Sequence, residues 1–236
     1  MYYMGKSNIG NKPLTDHAVV LDLDQTLIYA YDDEDIEKLV EMGVFTKPEY
    51  FKVKKRIHKL TMDDVMEDKR GVGTKTEMWF VTRPHLDKFI RHCFEYFKVV
   101  AVWSAGRRKY VECIVDIIFR DIKRPHVIYT YDDCEWKNKR NPFIVKPIEK
   151  MIKNEPGLEK YMSMKNTFVI DDTKYTFAHT NKENGILIPA YHPKPSVTSI
   201  LDDKDFVLEK LIDWFKKDEH ISCPDVRTLN KSKIFK

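Results

Sequence analysis

Short apolar runs that end in polar or acidic residues recur along the chain. Ala18-Val19-Val20-Leu21 runs into Asp22-Leu23-Asp24-Gln25-Thr26-Leu27, and Val99-Val100-Ala101-Val102-Trp103 runs into Ser104. His126 to Thr130, Thr167 to Asp172 and Gly185 to Ile188 repeat the pattern. Runs this short, apolar on successive positions, read as strands buried on both faces. Between them the period changes. Leu86, Phe89, Ile90, Cys93, Phe94 and Phe97 follow Pro84 at helical spacing. Tyr110, Val111, Ile114, Val115, Ile117 and Ile118 follow Gly106, a helix is expected over 148–152 after Lys146-Pro147, and another over 206–215. Strand and helix in alternation predict an α/β domain: a doubly wound, mostly parallel central sheet covered on both faces.

One stretch breaks the rhythm. Asp32 to Asp35 lead into Ile36, Leu39, Val40 and Phe45, as a short helix with acids in its first turn would. Beyond it, Tyr50 to Lys55 and Lys75 to Val81 alternate like strands, with Gly71-Val72-Gly73 as the turn between them. This predicts a small antiparallel β insertion, over about 45–81, close to the end of the first strand. The expected division is an N-terminal extension over 1–16, the main domain over 17–216, and a C-terminal tail over 217–236, loosely held from Ser222 onward.

Composition narrows the class. Hydrophobic residues make up 42% and aromatics 12% of 236 residues, enough for a real core. Lys and Arg number 41 against 37 acids, a balance too even to argue for direct nucleic-acid binding. No apolar stretch approaches membrane-spanning length, and residues 1–13 hold no apolar signal core. A soluble intracellular protein, nuclear or cytoplasmic, is expected. Cys93, Cys113, Cys134 and Cys223 form no CxxC pair and have no histidines at zinc spacing; Cys93 and Cys113, inside apolar helical patterns, read as small buried hydrophobes.

The chemistry-bearing residues fall at the strand ends. Asp22 and Asp24 follow the first strand, Ser104 the second, Asp171 and Asp172 the fourth, and Lys146 precedes a helix. In a doubly wound sheet these points converge on the carboxyl edge, where ligands bind. Hydrolytic phosphoryl transfer needs such parts: an ionised nucleophile, oxygen ligands for a hard divalent cation, and a hydroxyl and a positive charge for the phosphate oxygens. It also needs a protonated acid for the leaving oxygen.

Taken together, Leu21 to Leu27, Thr82-Arg83-Pro84-His85-Leu86, Val102-Trp103-Ser104-Ala105, Val145-Lys146-Pro147 and Val169-Ile170-Asp171-Asp172 resemble the haloacid-dehalogenase-like superfamily. More narrowly, they resemble its DxDxT phosphatases of the RNA polymerase II C-terminal-domain (CTD) and NLI-interacting-factor-like group. The resemblance runs from about His17 to about Phe215. It implies a Mg²⁺-dependent phosphoserine/phosphothreonine protein phosphatase. Asp22 would be the nucleophile, and Asp24 the acid and then the base, with its backbone carbonyl on the metal. Ser104, Ala105, Thr26 and Lys146 would serve the phosphate, with Thr26 bracing the first loop and Lys146 also orienting Asp22. Asp172 would complete the metal shell, and Asp171 would be a ligand or an orienter. Mg²⁺ and Lys146 would keep Asp22 ionised, while the charges of Asp22 and the phosphate would raise the pKa of Asp24.

Two positions depart from the small CTD phosphatases: Ser104 stands where they usually have Thr, and Asp172 where they often have Asn. Both changes keep the needed chemistry. Arg107 and Arg108 are candidates for binding the substrate anion. His85 reads as structural, Asp132-Asp133 as loop. The implied partner is a phosphoprotein or phosphopeptide, possibilities including the polymerase CTD, for a monomer with no membrane association. Two other functions remain open: a non-catalytic interaction module on the same fold, and a small-molecule phosphatase of the superfamily.

Overall fold

The computed structural model describes residues 12–63, 75–201 and 204–236. In chain order the strands and α-helices are β1 (Ala18–Leu21), β2 (Ile28–Tyr31), α1 (Asp33–Glu41), α2 (Phe51–Lys54), β3 (Ile57–Asp63), β4 (Lys75–Thr82), α3 (Leu86–Tyr96), β5 (Val99–Trp103), α4 (Arg108–Ile118) and β6 (Val127–Tyr129). They continue as β7 (Glu135–Lys137), β8 (Phe143–Val145), α5 (Ile148–Asn154), β9 (Thr167–Asp171), α6 (Tyr175–Ala178), β10 (Gly185–Leu187), α7 (Val197–Ile200), α8 (Val207–Phe215) and α9 (Asp218–Ile221).

Five strands form one parallel sheet in the order β10-β9-β1-β5-β6. β1 lies at its centre, with Leu21 paired to Val102 on one side and Ile170 on the other. Side chains alternate between the two faces, as the pleat requires. Val19, Leu21, Val100, Val102, Phe168 and Ile170 pack against α3, α4 and α8. Ala18, Val20, Ala101, Trp103 and Val169 pack with Ile148 and Met151 of α5 on the other. This two-sided cover is why these strands are apolar at every position.

The chain leaves β1 toward β5 and β6, then returns on the far side of β1 as β9 and β10. The order reverses between β1 and β9, so a crevice opens there at the carboxyl edge.

A second, antiparallel sheet has the order β2-β4-β3. It begins at Ile28, earlier than the pattern indicated, because β2 zips onto Trp79 to Thr82 directly after the first loop. In β3, Ile57, Leu60 and Met62 are buried, and Leu60 and Met62 join the core shared with α4.

Three local expectations are corrected. Tyr50 to Lys55 forms a 3₁₀ turn and α2 rather than a strand. Pro48 supplies the helical φ at the start of the turn, and the strand follows from Ile57. Val40 is exposed; Ile36 and Leu39 alone fix the inner face of α1. The residues after Ser222 are not loosely held. Val226 and Ile234 are buried in the main core, the Val226 N–H donates to the Lys165 carbonyl at 2.7 Å, and Lys231 donates to the carbonyls of Glu183 and Val226. These apolar residues are too sparse to show a period. The Gly71-Val72-Gly73 turn lies outside the described residues.

Candidate active site

Everything at the site hangs on how the chain leaves β1. The Leu23 carbonyl accepts from the amides of Thr26, Leu27 and Ile28, closing a tight loop. Gln25 takes the left-handed conformation the turn needs, with φ 59°. The Gln25 carbonyl accepts from the Tyr191 N–H at 2.7 Å. Arg83 is buried, reaching the Thr26 carbonyl at 3.1 Å and Asp205 at 3.0 Å. The loop is thereby pinned from the insertion side, and Asp22 and Asp24 point into one crevice.

Lys146 is the centre of that crevice. It is 3% exposed, and its Nζ donates to Asp22 Oδ1 at 2.6 Å and to Asp171 Oδ2 at 2.8 Å. β8 delivers it. Asn181, also buried, holds the following corner, accepting from the Ile148 amide and donating to the Lys146 carbonyl. Asp171 uses its other oxygen to accept from the Thr173 N–H at 2.8 Å. Asp171 therefore orients Lys146 and closes its own loop. Thr26 is fully buried, and its hydroxyl accepts from the Asp172 N–H at 3.2 Å, joining the loops after β1 and β9.

Asp24 is held from the β5 side. Ser104 Oγ donates to its Oδ2 at 3.4 Å, and the Tyr110 hydroxyl donates to its Oδ1 at 2.5 Å. The Gly106 N–H donates to Ser104 Oγ at 3.0 Å and fixes the hydroxyl. Ala105 lies exposed between them.

The electrostatics are those of an acid-rich pocket with one internal cation. Burial pushes the Asp22 carboxyl up to about 8, against the pull of Lys146. Burial also disfavours charge on Lys146, but Asp171 and Asp22 outweigh it and hold the ammonium above the ordinary lysine range. Asp24 is raised as well; the main cause is burial rather than the like charge expected, and Tyr110 and Ser104 oppose it. Asp172, half-buried, is raised by burial and by Asp171. Four acids share one lysine, so ionising them together calls for a further cation. Asp22, Asp171 and Asp172 each offer a carboxylate oxygen, all within 4.8 Å of one another. This hard oxygen set fits a divalent cation such as Mg²⁺, which would add the missing positive charge.

The remaining candidates lie around the mouth. Arg107 precedes α4 with its guanidinium 5.1 Å over the Tyr131 ring. Arg108 faces Asp133 at 3.6 Å and Glu112 at 4.0 Å. Asp133 also caps its own turn by accepting from the Thr130 N–H. His85 stacks on Phe206 and sits 3.7 Å from Glu209. All four cysteines are free thiols.

Sequence reasoning gave no role to Arg83, Tyr110 or Asn181. Arg83 stood inside a quoted motif, so its place was a usable signal. Tyr110 fits the apolar period of a helix, where a phenol cannot be told from a core ring. Asn181 lies in a polar stretch with nothing to mark it.

The parallel sheet with its small antiparallel companion is a haloacid-dehalogenase-like α/β fold. The chain belongs to the NLI interacting factor-like phosphatase family, whose model matches residues 17–227. Its fold is similar to "The Structure of Fcp1, an essential RNA polymerase II CTD phosphatase", with a TM-score of 0.61 and 14% identity over 89% of this chain and 68% of that one. It is also similar to the fission yeast RNA polymerase II CTD phosphatase Fcp1-R271A bound to beryllium fluoride, with a TM-score of 0.62 and 14% identity over the same shares. No curated protein sequence matches the chain. Among the described residues, no helix is long and apolar enough to cross a membrane.

Proposed function

We propose that the chain is a Mg²⁺-dependent protein phosphatase that removes phosphate from serine or threonine, on the polymerase CTD or a similar phosphopeptide, through an aspartyl-phosphate on Asp22. The observation that carries this reading is the buried Asp22–Lys146–Asp171 ion network at the sheet's switch point, with Asp24 and Ser104 beside it. Three buried charges cost several kcal/mol each to desolvate, so a site retained at that cost has a use beyond cohesion.

In the first step an Asp22 oxygen attacks phosphorus, and the bond from phosphorus to the serine or threonine oxygen breaks. Asp24, whose carboxyl is raised by burial, gives its proton to that departing oxygen. Lys146 and the Ser104 hydroxyl hold the phosphoryl oxygens while negative charge shifts. In the second step Asp24, now a carboxylate, takes a proton from water as that water attacks phosphorus and releases Asp22. Asp171 keeps Lys146 aimed, and Thr26 locks the two loops. Mg²⁺, held by Asp22, Asp172 and the Asp24 backbone carbonyl, would supply positive charge that keeps Asp22 ionised and neutralises the phosphate.

The test uses serine and threonine phosphopeptides, an aryl phosphate and a panel of phosphorylated metabolites, each with Mg²⁺ and with EDTA. Turnover of phosphopeptides should need Mg²⁺, and Asp22→Asn should abolish it. Turnover that survives either change sinks the mechanism. A metabolite turned over faster than every peptide sinks the protein-substrate assignment.

A further inference from the structure

A second site lies at the opposite edge of the parallel sheet. A groove of about 560 Å³ runs between the chain entering β1, the last turns of α3, the loop after α4 and the end of α8. Leu14, Phe94 and Ile122 give it apolar walls, and Leu14 is 58% exposed. Lys12, Arg91, Lys123 and Lys216 line it against a single acid, Glu95. Arg91 is paired with Asp87 on its own helix, and Lys123 sits 5.5 Å over the Phe94 ring. The other two lysines make no ion pair among the described residues.

The groove's inner wall carries polar atoms without partners. Tyr96 is fully buried, and its hydroxyl has no hydrogen-bond partner; His92 Nε2 beside it has none either. The two rings are 5.4 Å apart, and both residues line the groove.

We propose that this groove binds an acidic peptide segment carrying one large apolar side chain. The apolar side chain would lie between Leu14, Phe94 and Ile122, with acids on either side meeting the lysines. The cations belong to four separate chain segments, which suits several acids spread along a peptide better than one compact anion. The groove adjoins the start of β5, while Ser104 follows its end, so the two sites lie on the order of 15 Å apart along the strand.

The test is fluorescence anisotropy of a labelled, unphosphorylated peptide of Asp, Glu and Gly around one central Phe, added to the full chain. It needs no turnover, so it stands or falls separately from the phosphatase reading. The peptide should bind, and replacing its Phe by Ala should weaken binding about fivefold or more. Lys123→Glu with Lys216→Glu should weaken it more than about tenfold, and Leu14→Asp by a similar factor, with unchanged unfolding midpoints. Absence of binding, or binding indifferent to these variants, overturns the proposal. So does equal competition by heparin, which has charge but no apolar anchor, or displacement by dodecanoate at lower concentration than by unlabelled peptide. Loss of binding in a chain that starts at Lys12 would put the contact on residues 1–11 and also overturn it.

Discussion

The two ends of the parallel sheet are equally buried and built from opposite materials. At the amino end, Phe168 of β9 packs against Phe97, Trp214 and Phe215 at 5.2 to 6.1 Å between ring centroids, with His17 edge-on at 5.7 Å. At the carboxyl end of the same strand, Asp171 faces an ammonium. Two residues, Val169 and Ile170, separate an aromatic cluster from an ion network. Aromatic packing gains from every contact it buries, whereas buried charges gain only while every partner is present. One end therefore holds the fold together, and the other depends on that cohesion to keep its charges in register.

Lys146→Met should break the contrast most severely. It leaves Asp22 and Asp171 buried without their shared cation, a loss of about 3–5 kcal/mol in a metal-free protein. Turnover should fall at least about a thousandfold, because transition-state charge stabilisation goes with it. Urea denaturation together with aryl-phosphate turnover checks both. A variant of near-normal activity would show that Lys146 is a structural counterion only.

At the other end, Phe168→Ala should cost about 3–5 kcal/mol of stability through the cavity it leaves. Its turnover per folded molecule should stay close to wild type, since the strand's last residues remain bonded to β1 and β10. Active-site titration at low temperature separates the folded fraction from the rate. If the rate per folded molecule collapses, the two ends are coupled more tightly than the comparison claims.

The sequence made these two ends unequally legible. The apolar runs and the acids that end them were visible because both features are local, and the parallel sheet follows from their alternation with helices. Lys146 was recoverable only from its order among motifs; nothing local distinguishes it from a surface lysine. Its burial arises among Asp22, Asp171 and Asn181, which meet it only after folding. Tyr110 shows the same limit within one residue. The ring satisfies the helix period, and only the folded chain shows that its hydroxyl reaches Asp24. The tail after Ser222 is illegible in the sequence because Val226 and Ile234 gain their contacts from the distant main core, which leaves no periodic trace.

Tyr110→Phe tests the acid's support with a smaller effect. Losing a hydrogen bond to a carboxyl group is worth about 1.4 kcal/mol, so turnover should fall about tenfold on alkyl phosphates. Aryl phosphates, whose leaving oxygens need little protonation, should lose much less. An equal loss on both substrates would mean that the phenol serves packing rather than the proton donor's placement.

Acid titration should sharpen the contrast by the smallest margin, because the two ends respond to pH in opposite directions. Burial lowers His92 to about 4, with Lys216 adding to the effect and Asp213 opposing it; His17 is lowered by burial as well. An unfolded histidine takes up its proton near 6.5, before the folded one does, so the unfolded state binds more protons between those values. This contribution to stability is complete above about pH 6.5 and disappears as pH falls through 4. Asp22, raised to about 8, does the reverse: the folded state holds the extra proton, so metal-free stability declines as pH rises from about 4 to 8. Asp22→Asn should remove the second slope and leave the first exposed. In that background, His92→Phe should flatten the loss between pH 6.5 and 4 by about 1 kcal/mol, a value reduced for the partial exposure of the ring. Urea midpoints at pH 7 and pH 4.5 measure it, and an unchanged slope would assign the acid sensitivity to the carboxyl end instead.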